Sequence, residues 1–157
     1  MSFKATVKLK VDTQMPDIPG SVDEETGKPP RLRNRFTDVG EGTVSTRSGI
    51  VTISRKLITG AFFELSFAKN DPGIITIRRG GEGSSPVLFV IEENRRHVCL
   101  NTSPGGPIEI ITTCRKLDNG IMRTGRLAVD YAVELHGFRV EKTVLTLEIS
   151  KKHTEGN

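Results

Sequence analysis

Few residues of this chain stand in patterns that could do chemistry. A serine hydrolase needs a Ser, a His and a carboxylate, with the Ser on a strained strand-to-helix turn. No Gly-x-Ser-x-Gly occurs among the 157 residues, and Gly81-Glu82-Gly83-Ser84 lacks the strand–helix flanks. The same stretch lacks the Gly-Lys-Ser/Thr of a phosphate loop, and no helical pattern follows to supply a dipole. Carboxylates for acid–base work would have to be paired across a cleft. Asp23-Glu24-Glu25 and Glu92-Glu93 instead fall in polar breaks of the pattern and read as solvating charges. No close-spaced pair of cysteines or of histidines opens a metal site, and no cofactor is expected. These absences point away from an enzyme.

Two residues remain as candidates for a binding site. Tyr131 is the sole tyrosine, on an apolar face with Val129 and Val133. A buried tyrosine needs a partner for its hydroxyl. It is either an ordinary core residue bonded to a backbone carbonyl or a polar handle in a ligand cavity. Of the three histidines, His136 falls in a turn and His153 in the C-terminal tail, which leaves His97. If Val98 and Leu100 face inward, as the apolar pattern of the chain suggests, His97 faces out. In the opposite register His97, Cys99 and Asn101 line a cavity.

The elements that must position these residues are strands. Phe3, Ala5, Val7, Leu9 and Val11 alternate with Lys4, Thr6, Lys8, Lys10 and Asp12, a period of two with one dry and one charged face. Leu127, Val129, Tyr131, Val133 and Leu135 alternate in the same way, as do Thr143, Leu145, Leu147 and Ile149. Shorter strands are expected over 36–47, 50–57, 62–67, 74–79, 87–91, 96–102 and 108–114. They are separated by turn signals at Ser48-Gly49, Asp71-Pro72-Gly73, Glu92-Glu93-Asn94, Pro104-Gly105-Gly106-Pro107, Asp118-Asn119-Gly120 and His136-Gly137. Gly80 to Ser85 reads as a flexible loop. Residues 15–35, rich in Pro, Gly and charge, read as a long surface loop, and 151–157 as a frayed tail. About ten strands joined by tight turns predict one all-β domain over 1–150, a meander of neighbour-to-neighbour pairs. Such a meander leaves exposed edges unless it closes, so a closed or nearly closed antiparallel barrel is expected.

From about Gly49 to Ser150 the chain resembles the YwiB-like family of uncharacterised bacterial proteins, the domain of unknown function numbered 1934. The likeness lies in the order of several short motifs. Ile75-Thr76-Ile77-Arg78-Arg79-Gly80-Gly81 is similar to the family's apolar strand ending in Arg-x-Gly, with Arg79 and Gly81 matching. Glu92-Glu93-Asn94-Arg95-Arg96-His97 resembles its turn followed by a basic residue and His. Ser103-Pro104-Gly105-Gly106 resembles its Thr-Pro-Tyr-Gly turn, and Tyr131 falls where the family has a Tyr in its penultimate strand. Asn94 stands in place of the usual turn Gly, and Asn101 and Gly105 stand where the family tends to carry Tyr. The resemblance implies a small lipocalin-like, calycin-type barrel and no assigned activity. It adds Arg79 and Arg96 to Tyr131 and His97 as candidate ligand-binding residues.

Composition bounds the rest. Apolar residues make up 35% of the chain and charged residues 27%, a globular balance for one domain. There is no apolar leader after Met1 and no run of the roughly 20 apolar residues that a membrane helix requires, so a cytoplasmic protein is expected. Cys99 and Cys114 read as two reduced thiols. A turn at Pro104-Gly105-Gly106 sets Cys99 opposite Ile110 and Cys114 opposite Arg95, roughly 13 Å apart and beyond the ~7 Å reach of a disulfide. The net charge of +4 raises nucleic acid as a partner. The basic residues, however, are scattered in pairs at strand ends, where they also block edge-to-edge aggregation, and aromatic residues are only 5% of the chain. The expected function is binding of a small apolar or amphipathic molecule inside the barrel. The alternative is a filled barrel acting as an interaction module or homodimer, and a third reading is a single-stranded nucleic-acid binder.

Overall fold

The computed structural model describes residues 1–15, 32–81, 86–135 and 138–151. Ten strands form one antiparallel sheet: β1 (Ser2–Met15), β2 (Leu32–Arg47), β3 (Ile50–Lys56), β4 (Phe62–Ala68), β5 (Asp71–Gly80), β6 (Val87–Glu92), β7 (Arg96–Ser103), β8 (Gly106–Gly120), β9 (Arg126–Leu135) and β10 (Phe138–Lys151). Their order is β6-β5-β4-β3-β2-β1-β10-β9-β8-β7. Every sequential pair except β6 and β7 shares a ladder, and the first and last strands pair with each other over Ala5↔Lys151 to Gln14↔Lys142. The expected meander is present and the sheet is nearly closed into a barrel, with its seam in mid-chain rather than at the termini.

The period-two pattern sets which side chains face in. Leu9 pairs with Leu147 and Asp38, Val11 with Leu145 and Phe36, and Leu145 in turn with Val129. One half of the interior is filled by side chains that are fully buried, among them Val51, Ile75, Ile91, Leu127 and Leu147. Each such aliphatic side chain contributes roughly 1.5–3 kcal/mol by leaving water.

Several turns differ from expectation. Ser48 and Gly49 do form a two-residue hairpin, both with positive φ (53° and 78°), the geometry a tight hairpin demands. Asn94 sits at φ 59°, the left-handed position that Asn tolerates in place of Gly. Asp71-Pro72-Gly73 is strand rather than turn: Ala68 already pairs with Asp71 across a bulge. β8 likewise runs through Asp118-Asn119-Gly120, and the chain reverses in a four-residue helix, α1 (Ile121–Thr124). There the Asn119 side chain accepts from the Ile121 amide and Gly125 takes the left-handed cap at φ 75°. Met15 and Leu32–Arg35, expected in a loop, are paired strand. On the outer face Arg33 forks onto Asp12 (2.7 and 3.0 Å) and Arg35 adds a contact at 3.3 Å, so the basic cluster there is anchored. Gly80, expected in a loop, ends β5, and Lys151, expected in the tail, pairs with Ala5. The remainder of the 15–35 loop, residues 82–85 of the Gly80–Ser85 loop, the His136-Gly137 turn and residues 152–157 lie outside the described residues.

Candidate functional site

The seam between β6 and β7 is held by side chains and by one backbone bond at its end. Asn101 on β7 accepts from the Leu88 amide (Oδ1, 2.8 Å) and donates to the Leu88 carbonyl (Nδ2, 3.0 Å). Thr112 on β8 donates to the Val90 carbonyl, and the Asn94 amide donates to the Cys114 carbonyl at 2.9 Å. β7 faces the opposite way from the apolar reading. Val98 and Leu100 are exposed (49% and 75%), while His97, Cys99 and Asn101 occupy its half-buried face. The reason is the seam: closing it requires the amide of Asn101 at the inner side, and this register turns its apolar neighbours outward.

Among the described residues, that reversal does not place His97 on the wall of the cavity that holds Tyr131. His97 Nε2 lies 3.0 Å from Glu92 Oε1 at the far end of β6, about 17 Å along the strand from Val87. Arg96 is exposed on the outer face, opposite in direction to His97. Of the four residues named from sequence, these two stand apart from each other and from the other pair.

Arg79 and Tyr131 come together. They share the wall of a cavity of about 340 Å³ at the end of the barrel where β1, β3 and β5 finish and β2, β4 and β6 begin. Leu9, Val11, Phe36, Phe63 and Leu145 make most of the remaining wall apolar. The interior is thus filled in one half and hollow at one end.

The electrostatics of that end were only partly visible in the sequence. Arg79 Nη2 donates to Glu141 Oε1 at 2.6 Å, and Glu141 is buried. The Arg79 guanidinium carbon lies 5.5 Å from the centre of the Phe89 ring, a cation–π contact. Tyr131 packs on the same Phe89 ring at 5.8 Å, with the side chain of Thr143 close enough to act on its hydroxyl. Burial pushes its hydroxyl pKa up to about 12, against the opposing pull of Arg79. A second ion pair, Arg55 with Asp38, is more deeply buried, its side chains 10% and 6% exposed. Asp38 also accepts from the Ile58 amide at 3.2 Å, and Arg55 donates to the Glu41 carbonyl at 3.0 Å. Gly40 makes room for this pair: a Cβ there would sit 2.4 Å from the Arg55 guanidinium.

Arg55 corrects the reading of the basic pairs as solvated surface. The signal was present: Val51, Ile53 and Arg55 are in phase, so Arg55 points in with them. Glu141 likewise lies in phase with Thr143, Leu145 and Leu147. Among the described residues, no three His, Cys, Asp or Glu side chains converge as a metal site, and no helix is long and apolar enough to cross a membrane.

No family profile matches the chain, and no curated protein matches it. Among solved structures, its fold is similar to that of the ywiB protein from Bacillus subtilis, with a TM-score of 0.54 over 94% of both chains at 14% sequence identity. At that identity the likeness is one of fold: the chain shares the architecture of an uncharacterised YwiB-like β-barrel.

Proposed function

We propose that this chain is a non-catalytic binding barrel of the YwiB-like, calycin-type family, working in the cytoplasm and holding a small apolar or amphipathic molecule. The observation that carries the reading is the cavity of about 340 Å³ with an apolar wall and two polar residues, Arg79 and Tyr131. Binding sites of small barrels have this form: mostly apolar, with a few fixed polar groups that orient the ligand. The order of motifs shared with the family and the common fold support the family assignment.

A second reading, an interaction module or homodimer, is favoured by one specific feature. Leu88, Val98 and Leu100 are exposed on the outer face on either side of the seam. Nucleic acid is not the partner proposed, because Arg33, Arg35, Arg55 and Arg79 are engaged by Asp12, Asp38 and Glu141.

Native mass spectrometry of the purified protein tests both readings. The expected result is a monomer carrying a small mass that is lost on denaturation. A ligand-free dimer, together with no enhancement of an apolar fluorescent probe, would favour the second reading and sink the first.

A further inference from the structure

We infer that the cavity takes a monoanionic amphipath, a short apolar body bearing one carboxylate, with the carboxylate seated on Arg79. This rests on the reading of the cavity as a small-molecule site. Arg79 is the charged residue on its described wall, and Asp38, Arg55 and Glu141 are not among the residues that line it. The charge that the described wall presents to the cavity is therefore positive.

The chemistry of the guanidinium then selects the head group. It carries five N–H donors in a rigid fork and no acceptor. Glu141 takes a hydrogen bond from Nη2, while the Arg79 side chain keeps 40% of its surface exposed. The Phe89 ring lies 5.5 Å from the guanidinium carbon and covers part of it. An acceptor head is matched and an ammonium head is repelled. A carboxylate gains a charge-assisted bond, roughly twice as strong as the bond a neutral hydroxyl would accept. Glu141 limits the charge of the head, because it already offsets the guanidinium. One added negative charge is tolerated beside the pair, whereas a doubly charged phosphate would concentrate like charge in a half-dry site. The volume of about 340 Å³ lies at the small end of ligand sites, so the body is short.

Isothermal titration with octanoate, octan-1-ol and octylamine at neutral pH and low salt tests the head group with one body. Octanoate is expected to bind about tenfold more tightly than octanol, and octylamine more weakly than either. Glu141→Gln should tighten octanoate further by removing the competing negative charge. The double variant Arg79→Gln/Glu141→Gln removes both charges without stranding either one. It should still bind octanol, which shows the pocket intact, and lose the preference for octanoate. Equal binding of octanol and octanoate by the parent, or a preference that survives in the double variant, would overturn the head-group assignment while leaving the binding reading in place. Failure of all three molecules to bind the parent would overturn both.

Discussion

Asn101 pairs with the backbone of Leu88 as a neighbouring strand would, its side-chain oxygen accepting from the amide at 2.8 Å and its side-chain nitrogen donating to the carbonyl at 3.0 Å. A planar amide at the end of one methylene presents an acceptor oxygen and a donor N–H along one edge, the pair that the N–H and C=O of one strand residue need. It therefore stands in for one residue pair of the missing β6–β7 ladder. Each hydrogen bond is worth about 1 kcal/mol net. Asn101→Ala should cost about 1–2 kcal/mol, read as a lower denaturation midpoint. Exchange of the Leu88 amide should accelerate in the variant, while the amides of β1 and β10 keep their protection. Uniform acceleration across the sheet would refute the localisation.

Arg55 and Asp38 predict the opposite pattern, a cost that comes from leaving one partner behind. Both side chains are almost fully buried, so removing one strands a charge. Asp38→Ala is expected to destabilise by about 3–5 kcal/mol, and Asp38→Leu/Arg55→Met to recover most of that loss. Gly40→Ala should fall between these limits, since its Cβ would displace the Arg55 guanidinium rather than backbone. Chemical denaturation of the three variants checks the order. A double variant as unstable as Asp38→Ala would show that the loss is not electrostatic.

The strands were legible because alternation is a strong signal, and β1, β9 and β10 fall where Phe3–Val11, Leu127–Leu135 and Thr143–Ile149 place them. Tyr131 was singled out for the same reason, being in phase with Val129, whereas Arg79 was singled out through its place in the Arg-x-Gly motif. What failed was the assumption that an apolar face is an inner face. On β7 the seam overrides it, because Asn101 must reach Leu88, and Val98 and Leu100 are turned out in consequence. The Asp38–Arg55 pair was missed because a charge in phase with apolar residues was read as a strand end. The partner that makes its burial tolerable lies 17 residues away on the neighbouring strand. Turn placement failed where two signals competed. Asp118-Asn119-Gly120 has hairpin chemistry, yet α1 makes the reversal, with Thr124 donating to the Gly120 carbonyl at 3.1 Å.

The two thiols should react at different rates. Cys114 is buried in the core, and burial pushes its pKa up to about 11, so almost none of it is thiolate at neutral pH. Cys99 is half-buried beside the seam. An aromatic disulfide reagent should label one thiol per native chain, identified as Cys99 by peptide mapping, and two in guanidinium. Asn101→Ala, which loosens the seam, should speed labelling at Cys99 and leave Cys114 unlabelled. Prompt native labelling at Cys114 would count against its burial.

Tyr131 gives the sharpest optical test, because the chain has one tyrosine and no tryptophan. Phenolate absorbance near 295 nm therefore reports this single hydroxyl. In denaturant it should titrate near the ordinary value of about 10. In the native protein burial holds it at about 12. The folded pKa is raised, so the unfolded state loses its proton first as the pH climbs. The stability that Tyr131 contributes is complete below about pH 10 and is lost progressively through the folded pKa, in total about 3 kcal/mol for a shift of this size. Native protein at pH 10.5 should show little phenolate, and its denaturation midpoint should fall between pH 10 and 12. Tyr131→Phe removes the titration and should flatten the pH dependence of the midpoint in that window. A native titration near pH 10 in a still-folded protein would mean that the hydroxyl meets solvent, and Tyr131 would then be a mouth residue rather than a wall residue of the cavity.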